Sequence, residues 1–151
     1  MPWCAAADEA AERARIQREK RAAEQRYEAA ERACRDRFAV TASMSDGVLS
    51  HVAGQAVPGV TVLFLDTGYH FPETIGTRDA IAATYPVNVE TVTHPLRVPE
   101  HEAEYGRLYE IDPDLCCAIR KIWPLDRALQ PYEAWAGGVR RAELASRADT
   151  P

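Results

Sequence analysis

The run Val60-Thr61-Val62-Leu63-Phe64-Leu65 constrains this 151-residue chain more than any other stretch. It is nearly continuous in apolar residues, with no polar alternation, as expected of a strand covered on both faces. Its neighbours agree with it. Phe38-Ala39-Val40-Thr41-Ala42-Ser43 is a short β-prone run, Met44-Ser45-Asp46-Gly47 is a turn, and Val48 to Ala53 has helical spacing before Pro58-Gly59 breaks the chain. Asp66-Thr67-Gly68 turns out of the second strand. Pro72 suits the first turn of a helix running to about Tyr85, and Val87 to Val92 reads as a third strand. Strand–helix–strand–helix–strand spacing predicts right-handed βαβ units, hence an α/β fold with a parallel sheet and helices on both faces. Beyond it, 98–110 reads as an acidic helix, and Asp112-Pro113 as a helix start with Asp as the cap. That helix carries Cys116, Cys117, Arg120 and Lys121 and is expected to stop near Pro124. Residues 132–139 read as a fourth strand, and Arg140 to Pro151 as a basic loop.

The start of the chain has a different texture. Residues 8–36 are rich in Ala, Glu, Arg and Gln without Gly or Pro, which predicts one solvated helix with a thin stripe of Ala23, Tyr27, Ala30 and Cys34. The organisation expected is therefore a charged N-terminal helix over 1–37 and an α/β domain over 38–151. Residues 1–37 hold nine basic and eight acidic groups, and the remainder holds nine and 15. The net charge of −5 argues against non-specific nucleic-acid binding, which needs a basic surface. No apolar run approaches the roughly 20 residues of a membrane helix, and Met1-Pro2-Trp3-Cys4 opens no secretory signal. Four cysteines without an export signal point to a reducing, cytoplasmic setting, where thiols serve metal or redox chemistry more than structural disulfides.

Four clusters carry chemistry. Ser43, Ser45 and Asp46 lie between a strand and a helix, where free N–H groups and hydroxyls suit a phosphate or sulfate; the same residues also suit an ordinary capping turn. Leu65 to His70 ends the second strand, and backbone groups there can read an adenine edge, with Gly68 permitting close approach. Cys116-Cys117 is the most specific feature. Adjacent cysteines rarely pair with each other, because the eight-membered ring strains the peptide bond. On one helical turn their thiolates can reach an iron–sulfur cluster, with Arg120 and Lys121 close behind. Two buried, inert thiols are the other reading. Gly137-Gly138 followed by Arg140, Arg141 and Arg147 offers guanidinium forks to an oxyanion, or is a solvated basic loop.

Together these stretches resemble the sulfonucleotide reductase family, in its assimilatory adenylyl-sulfate branch. The resemblance covers residues 37–151 and rests on 38–49, 64–74, Cys116 to Lys121 and Ala134 to Arg141, closing at Arg147. The Cys-Cys pair is similar to the cluster-bearing branch; the branch specific for the 3′-phosphorylated nucleotide usually lacks it. The resemblance implies an adenine-nucleotide α-hydrolase-like fold. It implies Ser43, Ser45 and Asp46 near the phosphosulfate and ribose, and Leu65 and Thr67 holding adenine through the backbone with Gly138 opposite. It further implies Lys121 between cluster and substrate, Arg147 on the anionic end, and Cys116 and Cys117 as half the ligands of a [4Fe–4S] cluster. The implied reaction reduces adenylyl sulfate to sulfite and AMP with thioredoxin as partner.

The family's downstream C-x-x-C and its tail cysteine, in a Glu-Cys-Gly-(Ile/Leu)-His setting, do not occur in this sequence, and Cys4 and Cys34 lack matching spacing. The expectation is a truncated, N-terminal part of a reductase, without sulfite release by itself. Its fourth strand is expected to be an exposed edge open to self-association. Two other readings stand beside it: an adenine-nucleotide-binding module without redox turnover, and an interaction protein working through its N-terminal helix.

Overall fold

The computed structural model describes residues 2–138. The chain divides into two compact units, Met1–Cys34 and Arg35–Pro151. Helix α1 (Pro2–Asp36), which makes up the first unit and ends two residues past it, is long and charged, as its composition predicts. Arg15 is bracketed by Glu12 at 2.7 Å and Glu19 at 3.5 Å, pairs exposed enough to add only a few tenths of a kcal/mol each. The side chains of the expected stripe, Ala23, Tyr27, Ala30 and Cys34, and that of Cys4, lie outside the described residues.

The second unit is built on four strands: β1 (Phe38–Thr41), β2 (Val60–Asp66), β3 (Val87–Thr93) and β4 (Ala134–Gly137). All neighbours run parallel, in the order β3-β2-β1-β4. The register sets Val40 beside Val62 and Val62 beside Val89. On that face Val40, Val60, Val62 and Phe64 are buried against Ile81 of α3 (Pro72–Thr84) and Leu49 and Ala53 of α2 (Val48–Ala56). Each such side chain contributes about 1.5–3 kcal/mol through burial. The alternate residues Ala39 and Leu63 are buried as well, and α7 (Trp123–Leu129) packs on β2 and β3. The continuous apolar run of β2 thus has the physical reason expected of it.

Several element bounds differ from those expected. β1 ends at Thr41, and in the loop that follows Met44 adopts φ 58° and is buried in the core at 1% exposure. The acidic helix over 98–110 is two helices, α4 (Val98–Tyr105) and α5 (Leu108–Ile111), separated at Gly106, whose φ of 71° ends the first. The Cys-bearing helix does not stop near Pro124. It starts as read, α6 (Pro113–Cys117) with Asp112 accepting from the Leu115 N–H at 3.0 Å. It then widens into a π-helical turn over Ala118–Ile122 and continues as α7. Pro124 stands just past the π-helical turn inside a continuous helix; lacking an N–H, it leaves a carbonyl of the preceding turn without its helical donor, at the place where the ladder is already irregular. β4 occupies only the middle of the expected 132–139.

Candidate nucleotide and dithiol site

The strand order fixes where a ligand can sit. The chain steps outward from β1 to β2 to β3, then returns to place β4 on the other side of β1. Such a reversal opens a crevice at the carboxyl ends of β1 and β4, where the chain direction switches. The β1–α2 loop lies at that end of β1. In it the Ser43 and Ser45 hydroxyls are 3.1 Å apart, both exposed, and Asp46 accepts from the Val48 N–H at 3.0 Å. Gly47 precedes α2 without a side-chain cap of its own, so Asp46 does the capping. The end of β4 reaches the same helix start: Thr41 pairs with Gly137, and a Cβ on Gly138 would lie 3.4 Å from Leu49.

Leu65 lies two residues beyond Leu63, whose carbonyl receives the Ala42 N–H at 3.2 Å. Alternation along a parallel strand turns Leu65 toward the same edge, past the point where β1 has ended. Its carbonyl accepts from His70 Nε2 at 2.8 Å, which assigns the proton to that nitrogen, and the His70 ring rests 5.0 Å from Phe64. Thr67 is buried; its hydroxyl accepts from the Tyr69 N–H at 3.2 Å and its carbonyl from Arg120 Nε at 2.6 Å. Both carbonyls expected near adenine therefore hold donors from their own chain.

Beside Thr67 opens a cavity of about 580 Å³. Cys116 and Cys117, Lys121 and Arg120 line it from one side, and Tyr69 and Tyr109 from another. Cys116 is buried, Cys117 is exposed, and both are free thiols. The two tyrosine rings meet edge-on at 5.2 Å, and Tyr69 donates to Glu102 at 3.1 Å. Burial, and then that carboxylate, raises the Tyr69 pKa above the usual phenol value.

The structure thus brings Thr67, Cys116, Cys117 and Lys121 to one cavity, and Ser43, Ser45, Asp46 and Gly138 to the mouth between β1 and β4, with Leu65 at the end of β2 between the two neighbourhoods. Arg147, with Arg140 and Arg141, lies outside the described residues. Sequence reading missed Tyr109, hidden by the break at Gly106, and the bond from Arg120 to Thr67, whose signal was only an arginine one turn past the cysteines. Two thiols fit half the donor set of a four-iron cluster. Among the described residues no group of three His, Cys, Asp or Glu side chains could hold a metal ion.

Residues 37–151 match the model of the phosphoadenosine phosphosulfate reductase domain. The chain belongs to that family. Its sulfonucleotide reductase fold is shared with a solved phosphoadenylyl-sulfate reductase from Candida auris, at TM-score 0.57 and 24% identity over 69% of this chain and 54% of that one. The chain is 60% identical over 117 residues to the adenosine 5′-phosphosulfate reductase of Streptomyces coelicolor, which spans 77% of this chain and 50% of the relative. It is 51% identical over 118 residues to the enzyme of the same name from Rhodococcus erythropolis, spanning 78% and 48%. This member of the reductase family therefore spans about half the length of the curated relatives it matches. Among its described residues no helix is long and apolar enough to cross a membrane.

Proposed function

We propose that the unit from Arg35 onward is the adenine-nucleotide-binding part of an adenylyl-sulfate reductase of sulfate assimilation. The observation that carries this reading is the single cavity in which the Cys116-Cys117 turn and Lys121 meet Thr67 at the carboxyl edge of the sheet. Ser43, Ser45 and Asp46 then face the phosphosulfate and ribose. Leu65, Thr67 and Gly138 frame the adenine, and Arg147 takes the anionic end. Lys121, exposed on the cavity wall, stands between the thiols and the sulfate. In the whole reductase a cysteine thiolate attacks the sulfate sulfur, the sulfur–oxygen bond breaks and AMP leaves. Thioredoxin then reduces the S-sulfocysteine and sulfite departs. Cys116 and Cys117 would hold half of a [4Fe–4S] cluster, which when bound would supply local charge to the site.

The 151-residue chain binds nucleotide and releases no sulfite by itself: the family's tail cysteine setting is not in its sequence, and Cys116 is buried. The binding-module reading gains from the same facts, since nucleotide recognition needs only the sheet edge and its loops. A cytoplasmic setting belongs to the same proposed reading, as that of an enzyme of sulfate assimilation. Calorimetric titration with AMP tests the reading. One site per chain, weakened by Ser45→Ala, is expected, and no heat of binding at millimolar AMP overturns it. Thioredoxin-dependent sulfite formation by the purified chain would refute the claim about turnover. We also propose self-association through β4, which ends the sheet among the described residues. Sedimentation at rising concentration should show it, and a constant monomer would exclude it.

A further inference from the structure

We propose that Arg120 is a positioning residue that couples the dithiol helix to the nucleotide-facing corner after β2, so that each senses the other. The inference rests on the nucleotide reading above. Arg120 is 4% exposed, yet among the described residues no carboxylate lies within ion-pair distance of it. Its fork is spent on backbone. Nε donates to the Thr67 carbonyl at 2.6 Å, and Nη1 to the Leu96 carbonyl at 3.3 Å. The guanidinium carbon stands 5.4 Å above the Tyr69 ring. One side chain from the Cys-bearing helix thus ties down both the β2–α3 turn and the β3–α4 loop.

Two local features make the tie possible. Gly68, at φ 78°, leaves the space the fork occupies: a Cβ there would come within 3.2 Å of Nη2 and 2.6 Å of Val98 Cγ2. The π-helical turn sets the phase of Arg120 against Cys116 and Cys117; Trp123 N–H bonds back to the Ala118 carbonyl, five residues earlier. A planar fork bonded to two carbonyls transmits displacement in a way a single-point ammonium does not. Nucleotide at the corner and chemistry at the thiols therefore share one rigid link, and the coupling between them is reciprocal.

The test uses the full chain, AMP as ligand and iodoacetamide as thiol probe, with Cys116 and Cys117 followed by peptide mapping. Saturating AMP is expected to change the Cys117 alkylation rate at least threefold. Arg120→Lys is expected to weaken AMP binding about tenfold and to bring the AMP-induced rate change below 1.5-fold, while Arg120→Met loses more affinity than the lysine variant. A merely structural residue, or simple shielding of Cys117 by the ligand, would leave the rate change intact in whatever folded variant still binds. Should Arg120→Lys not fold, Tyr69→Leu removes the ring under the guanidinium and carries the same readouts. Failure of the wild-type chain to bind AMP overturns the nucleotide reading. Binding without a rate change, or a lysine variant that couples as the wild type does, overturns the role of Arg120 alone.

Discussion

His101 is fully buried in α4, and among the described residues neither ring nitrogen has a hydrogen-bond partner. Burial lowers its pKa below the usual imidazole value; the charges of Arg120 and His94 add to this, and Glu102 and Glu104 oppose it. A depressed folded pKa means the unfolded chain binds more protons near pH 6.5, so stability rises with pH. The expected outcome is a urea midpoint that falls as pH drops from 7.5 through 6.5 to 5.5, with His101→Phe flattening that slope. A slope unchanged by the substitution would contradict the assignment. Gly68 makes a different demand on a single residue. At φ 78° an alanine is strained, and its Cβ meets Val98 Cγ2 at 2.6 Å. Gly68→Ala should cost about 1–3 kcal/mol in urea unfolding.

The π-helical turn is the feature that matters among the elements. An α-helical residue advances the side-chain direction by about 100°, so one added residue decides which wall of the cavity Arg120 and Lys121 reach. Deleting Ala118 restores the α phase between Cys117 and Trp123. Far-UV circular dichroism of that variant should stay near wild type while AMP affinity falls at least tenfold by calorimetry. Unchanged affinity would mean the phase is immaterial. The break at Gly106 works similarly: by ending α4 it frees Leu108 to Ile111 to form α5, which supplies Tyr109 to the cavity wall.

For the molecule as a whole, ligand binding and folding are linked. A nucleotide that binds the folded unit stabilises it by about 2.7 kcal/mol at a hundred times its dissociation constant. AMP is therefore expected to raise the thermal midpoint followed by tryptophan fluorescence, since Trp123 and Trp135 both lie in the Arg35–Pro151 unit. A midpoint indifferent to AMP would contradict a site in that unit. The division at Cys34 falls close to the change in composition after residue 37.

Local chemistry determined the parallel α/β core, because the apolar run from Val60 to Leu65, the Asp112-Pro113 cap and the strand–helix spacing are set by nearest neighbours and periodicity. The Ser43–Gly47 turn, the Thr67–Gly68 corner and the Cys116-Cys117 pair were legible for the same reason: each is a short pattern with its own backbone geometry. The sequence could not show that Arg120 reaches Thr67, 53 positions away, or that the helix survives Pro124 through a wider turn. Nor could it show that His101 is buried with no hydrogen-bond partner among the described residues. Those outcomes depend on which surfaces the folded sheet brings together, and only the tertiary structure decides where a long side chain finds its acceptor.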